Sequence, residues 1–168
     1  YDIENYYNAE TIKEAVTLLK EHPDARVISG GSDVLIKIRE GKMAGTSLVS
    51  IRDIKEIKGI RQMESGDIGG NVCNGAVSAD SAPTLFSLNA MLRIADGTGG
   101  RMVPIRDFYL GPGKVDLHQG DVLTHIVIPG KDYQGYHGFY IKYSMRNAMD
   151  IVTLSCSVVS RIDPLKKV

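Results

Sequence analysis

The sequence predicts a mixed helix-and-strand fold, from three observations. Thr11-Ile12-Lys13-Glu14 has the form of a capping box, with Thr11 accepting from the N–H of Glu14 and Glu14 reaching back, and an amphipathic helical pattern follows it. Arg26 to Ser29 is a short strand that runs into Gly30-Gly31, a second helical pattern and a further strand at Thr46 to Ile51. That order is a βαβ-like unit, which is usually right-handed. From Ala90 onward, strands are separated by glycine and proline turns.

Taken in order, Ile3 to Tyr7 reads as the entry strand. Ile12, Ala15, Val16 and Leu19 fall at i, i+3, i+4 and i+7 and form one face of a helix over about residues 11–21. Val34, Leu35 and Ile38 line one side of the second helix, and Gly41 is placed to end it. Asp53 to Ile57 forms one helical turn and Gly59 to Met63 a strand. Ser81 to Asn89 is helical, with Pro83 in its first turn. Ala90 to Ala95 and Arg101 to Pro104 form a hairpin across Gly97-Thr98-Gly99-Gly100. Ile105 to Leu110 reads as a short connection and Gly111-Pro112-Gly113 as a loop, with strands following at Val122 to Pro129, Tyr136 to Ser144 and Ile151 to Ile162.

Composition bounds the function. With 168 residues and 43% apolar content the chain reads as soluble and globular, one domain or two small ones sharing an interface. A formal net charge of zero argues against nucleic acid or an anionic membrane as partner. No stretch approaches the ~18 apolar residues of a membrane span, and no charged-then-apolar leader opens the sequence. Cys73 and Cys156 lack CxxC spacing, so ligation of zinc or an iron–sulfur cluster by this chain alone is not expected. The four histidines are dispersed and read as surface or packing residues.

Two glycine-rich loops carry the chemistry. Asp67 to Asp80 has few large side chains, and Gly69-Gly70 frees the backbone for close approach to another molecule. Successive N–H groups in such a loop attract anions. Ser29-Gly30-Gly31-Ser32-Asp33 runs directly into a helical pattern, which would put its N–H groups at a helix N-terminus. Either loop alone is equally a tight turn. Together they predict a diphosphate-bearing cofactor. Each further candidate has a plainer reading: Asp80 as a helix cap, Leu123 as core, and Lys142 as a solvated strand lysine.

At these residues the chain resembles the FAD-binding subunit of molybdenum hydroxylases, most closely the flavin subunit of bacterial xanthine dehydrogenases. The motifs are Ser29-Gly30-Gly31-Ser32-Asp33-Val34-Leu35, Gly69-Gly70-Asn71-Val72-Cys73-Asn74-Gly75 through Ser78-Ala79-Asp80-Ser81, Arg101 to Pro104 with Asp107-Phe108, Gly111 to Lys114, and Tyr143 to Asp150. The resemblance implies an α+β, PCMH-type (vanillyl-alcohol-oxidase-like) FAD-binding fold of two subdomains, residues 1–63 and 64–130, with residues 131–168 beginning a truncated C-terminal domain. It implies that Val27, Ile28, Ser29, Gly30, Gly31, Ser32, Asp33 and Val34 line the ADP half of FAD and that Gly69, Gly70 and Asn71 form the second phosphate loop. It also implies that Asp80 accepts from a ribose or ribityl hydroxyl, that Leu123 packs on the isoalloxazine, and that Lys142 sits near the polar edge of the flavin.

The implied activity is that of a cytoplasmic flavin subunit. It takes electrons from [2Fe–2S] clusters and passes them to NAD⁺ or another acceptor, alongside a [2Fe–2S] subunit and a molybdopterin-binding subunit. Alternatives are a free-standing flavin oxidoreductase of the same fold and a truncated, non-catalytic binding module. One departure stands out. Family members carry several dozen residues before the second glycine loop, where Glu64-Ser65-Gly66-Asp67 makes a direct join here. The expectation is a break in the chain there, with neighbouring Cα atoms far beyond the ~3.8 Å of a trans peptide, rather than a true deletion.

Overall fold

The computed structural model of the chain describes residues 2–31, 33–59, 66–67, 71–76, 78–145 and 152–162. Its contacts define two units: Tyr1–Lys58 with Ile94–Arg101 and Leu117–Thr124, and Gly59–Arg93 with Met102–Asp116 and His125–Val168.

The first unit is built on a three-stranded parallel sheet in the order β1 (Ile3–Asn8), β3 (Thr46–Ser50), β2 (Arg26–Ile28). Parallel strands are covered on both faces, and the central strand shows it: Ser47 to Ser50 are all buried. Leu48 and Val49 point to opposite faces. Val49 packs in a cluster with Ala15, Val16 and Leu19 of α1 (Ile12–Glu21). Leu48 packs with Ile38 of α2 (Val34–Arg39) and Ile28 of β2. The periodicity therefore identified the buried face of α1 correctly.

The helix ends follow local chemistry. Glu14 donates its N–H to the Thr11 hydroxyl at 3.1 Å. Its carboxylate reaches one residue further back than a standard capping box and takes the N–H of Glu10 at 2.8 Å. At the end of α2, Gly41 adopts φ +73 and gives its N–H to Ile38, while Lys42 gives its N–H to Lys37. This is a Schellman cap, which requires a left-handed residue at that position.

Two contacts fasten the later segments of the first unit. The Asp121 side chain, only 4% exposed, accepts from Arg101 Nη1 at 2.7 Å and from the His118 backbone N–H at 2.9 Å. In the Asp96–Gly100 turn, Asp96 accepts the Thr98 N–H and hydroxyl and the Gly100 N–H. These bonds, the Thr98 N–H foremost, pull its carboxyl down to about 2. Gly100 has φ +85, and a Cβ there would strike the Ile94 carbonyl oxygen.

The second unit contains a four-stranded sheet in the order β4 (Gly66–Asp67), β9 (Val122–Ile128), β5 (Met91–Ala95), β6 (Arg101–Pro104), with some strand ends counted in the first unit. β4 pairs antiparallel with β9, Gly66 opposite Ile128. Residues 105–110, expected as a plain connection, form a four-residue helix α4 (Ile105–Phe108) leading into β7 (Tyr109–Gly111). Ile105 and Phe108 are fully buried, which explains why this short piece coils. β7 pairs with β8 (Lys114–Val115), and β10 (His137–Ser144) with β11 (Val152–Ser160), both antiparallel. α3 (Ala82–Ser87) packs on β11, where the Ser87 and Ser157 hydroxyls meet at 2.9 Å.

The expected strand at residues 60–63 and the expected chain break around Glu64 and Ser65 lie outside the described residues. No helix among the described residues is long and apolar enough to cross a membrane.

Removing the buried Asp121 carboxylate takes away the acceptor of the Arg101 guanidinium and of the His118 N–H. Asp121→Ala should destabilise the chain by about 2 kcal/mol in urea unfolding. A loss below about 0.5 kcal/mol would mean that the Arg101–Asp121 contact contributes no more than an exposed pair.

Candidate functional site

The first candidate loop sits where β2 leaves the parallel sheet. Val27 is half-buried, Ile28 is buried beside Leu48 and Ile38, and Ser29 and Gly30 are exposed. Ligands of open α/β sheets bind at the carboxyl ends of parallel strands, where this loop lies. The two glycines do different jobs. Gly31 has φ +77, and a Cβ on it would press on Leu35 Cδ1 at 2.8 Å, so the left-handed turn into α2 demands glycine. A Cβ on Gly30 would meet nothing within 4 Å. Among the described residues, no acceptor takes the N–H of either glycine. Asp33 accepts from Lys37 Nζ at 2.7 Å, so a cation one turn on offsets its negative charge at the loop. Val34, half-buried, starts α2 and packs against the Ile28 cluster.

The loop runs directly into α2 as the helical pattern implies, the helix starting at Val34 and spanning six residues. Asp80 does not cap α3. Ser81 occupies that position without a side-chain bond to the helix, and Asp80 bonds elsewhere.

In the second unit, Asn71–Asn74 form a 3₁₀ turn. Gly75 is buried at φ +58, with Lys114 N and Val115 Cγ1 both 3.0 Å from where its Cβ would be. Its carbonyl accepts the Gly113 N–H at 2.9 Å. Gly75 is therefore a close-packing glycine against the β7–β8 hairpin, not part of an open nest. Ser32, Gly69 and Gly70, and the side chain of Asn71, lie outside the described residues. Leu123 is half-buried on β9, between buried Val122 and half-buried Thr124, and so faces away from the core that takes Val122.

The structure brings Asp80 and Lys142 together. Lys142 Nζ lies 3.0 Å from Asp80 Oδ2, joining β10 to the residue just before Ser81 and α3. Their pairing spans 62 positions of sequence, which local pattern reading does not reach.

Sequence reasoning also passed over Tyr109. Its hydroxyl is buried without a hydrogen-bond partner among the described residues, and its ring packs against Phe86 and Phe108. Burial, with a smaller contribution from nearby Cys73, raises its pKa. The motif around it gives no signal, because Asp107-Phe108-Tyr109-Leu110 looks like any buried turn. Although part of Cys73 is exposed, packing around its sulfur pushes the thiol up to about 11. At neutral pH it is a protonated thiol and not a nucleophile. No group of three or more potential metal ligands occurs among the described residues.

Comparison with known proteins defines the class. The model for the FAD binding domain in molybdopterin dehydrogenase matches residues 1–67 and 60–131, and the chain belongs to that family. It is 31% identical to the xanthine dehydrogenase FAD-binding subunit of Escherichia coli O157:H7, covering 97% of this chain and 70% of that one. It is 27% identical to the carbon monoxide dehydrogenase medium chain of Afipia carboxidovorans, covering 92% of this chain and 68% of that one. Among solved structures, a chain of the Cu,Mo-CO dehydrogenase in its cyanide-inactivated form superposes with a TM-score of 0.86 at 26% identity, over 96% of this chain and 71% of that one. The fold is thus the α+β FAD-binding fold, and the chain is an FAD-dependent oxidoreductase subunit of xanthine dehydrogenase-like type. The alignment with the E. coli subunit runs over 205 positions against 168 residues here, so that relative carries internal residues this chain lacks.

The groups present fit FAD. A Cβ on Gly30 would meet nothing within 4 Å, and neither the Gly30 nor the Gly31 amide has an acceptor among the described residues, as a phosphate site needs. Asp80 offers acceptor oxygens, and Lys142 a cation.

The state of Cys73 gives a direct check. Its raised pKa favours the folded protein below the ordinary thiol value of 9.0, and that contribution fades as pH rises towards about 11. In a Cys156→Ser background, iodoacetamide should alkylate Cys73 slowly at pH 8, with the rate climbing only towards pH 11. A rate already half-maximal by pH 9 would show that the thiol is not held protonated.

Proposed function

We propose that this chain binds FAD and passes electrons from the [2Fe–2S] clusters of a partner subunit to NAD⁺ or another acceptor, within a molybdenum hydroxylase that also contains a molybdopterin-binding subunit. The observation that carries the reading is the open glycine turn at Ser29–Gly31, where the Gly30 and Gly31 amides have no acceptor among the described residues, in a chain of the FAD-binding family.

The contact residues we propose are those the sequence pointed to. Val27, Ile28, Ser29, Gly30, Gly31, Ser32, Asp33 and Val34 hold the ADP half. Gly69, Gly70 and Asn71 form a second phosphate loop. Asp80, Leu123 and Lys142 serve the ribityl chain and ring. FAD, if bound there, would supply the redox chemistry that links one-electron and two-electron carriers. The protein's share is to bind, orient and tune it. Amides of the first loop neutralise pyrophosphate oxygens, Leu123 offers an apolar surface turned from the core, and the Lys142–Asp80 pair sets the local charge.

A cytoplasmic location suits two cysteines that are both unpaired. We retain the domain division at residues 1–63, 64–130 and 131–168. The β10–β11 hairpin supports a further domain beginning there. Phe139, Ile141 and Tyr143 stand opposite Val158, Cys156 and Leu154, and the large apolar members of this ladder are more than half exposed.

Gly30→Val tests the reading cleanly, because the new side chain meets no protein atom within 4 Å of its Cβ. The variant should melt within about 2 °C of the parent yet bind FAD at least ~10-fold more weakly by fluorescence titration, since an obstructed phosphate contact is worth about 1.5 kcal/mol or more. FAD affinity unchanged in a folded variant would make this loop a turn and nothing more.

A further inference from the structure

We draw no further inference here: the strongest candidate, the outward apolar face of the β10–β11 hairpin, where Phe139, Ile141 and Tyr143 stand opposite Val158, Cys156 and Leu154, carries nothing because nothing in the structure shows what covers it.

Discussion

The central strand of the parallel sheet has to be covered on both faces, and the first unit is arranged around that constraint. Leu48 and Val49 are adjacent in sequence, fully buried, and turned to opposite sides. Burying an aliphatic side chain of this size contributes about 1.5–3 kcal/mol. Leaving either face bare would forfeit that contribution and expose a strand that has no polar alternation to offer water. α1 covers one side and α2 the other. Once both are in place, the connection from β2 into α2 has to cross from sheet to helix within a few residues. Gly31, in the left-handed region, is what lets it do so. The Gly30 and Gly31 amides, without an acceptor among the described residues, are a consequence of that crossing. The packing of the core places the candidate loop.

Glycine serves a different end in the second unit. Gly75 lets one backbone lie against another, closing the 3₁₀ turn at Asn71–Asn74 onto the β7–β8 hairpin. A glycine-rich stretch can therefore be part scaffold and part binding surface. The division falls inside a single motif: Gly75 is buried in protein contacts, while Cys73 and Ala76 keep exposed surface. The Asp80–Lys142 pair is scaffold of another kind. It places a charge with little effect on stability, and the hairpin carrying Lys142 is registered on α3 through side-chain contacts that the pair does not supply.

What was legible in the sequence was local. Thr11 and Glu14 announced the start of α1, Gly41 marked the end of α2, and the turn signals at Gly97–Gly100 separated β5 from β6, because each of these depends on residues within a few positions. The FAD-binding class was legible too, through motifs spread along nearly the whole chain. What escaped depends on distance in sequence. Asp80 looks like a cap because a cap is the nearest use for an Asp before a helix, and the partner that claims it lies 62 residues away. Gly75 looks like an open loop until the Lys114–Val115 strand arrives against it. Tyr109 carried no signal at all, since a buried hydroxyl without a partner is a fact about neighbours and not about sequence.

The account stands or falls on the glycine turn after β2 being a phosphate cradle as well as a crossing. Hydrogen–deuterium exchange, with and without saturating FAD, reads this at the amides themselves. Gly30 and Gly31 have no acceptor among the described residues and should exchange quickly in the apo protein. FAD should slow both by at least about tenfold, the protection expected when a free amide gains a phosphate acceptor. If FAD saturates the chain while exchange at Gly30 and Gly31 stays as fast as in the apo protein, the cofactor is held elsewhere and the central claim is wrong.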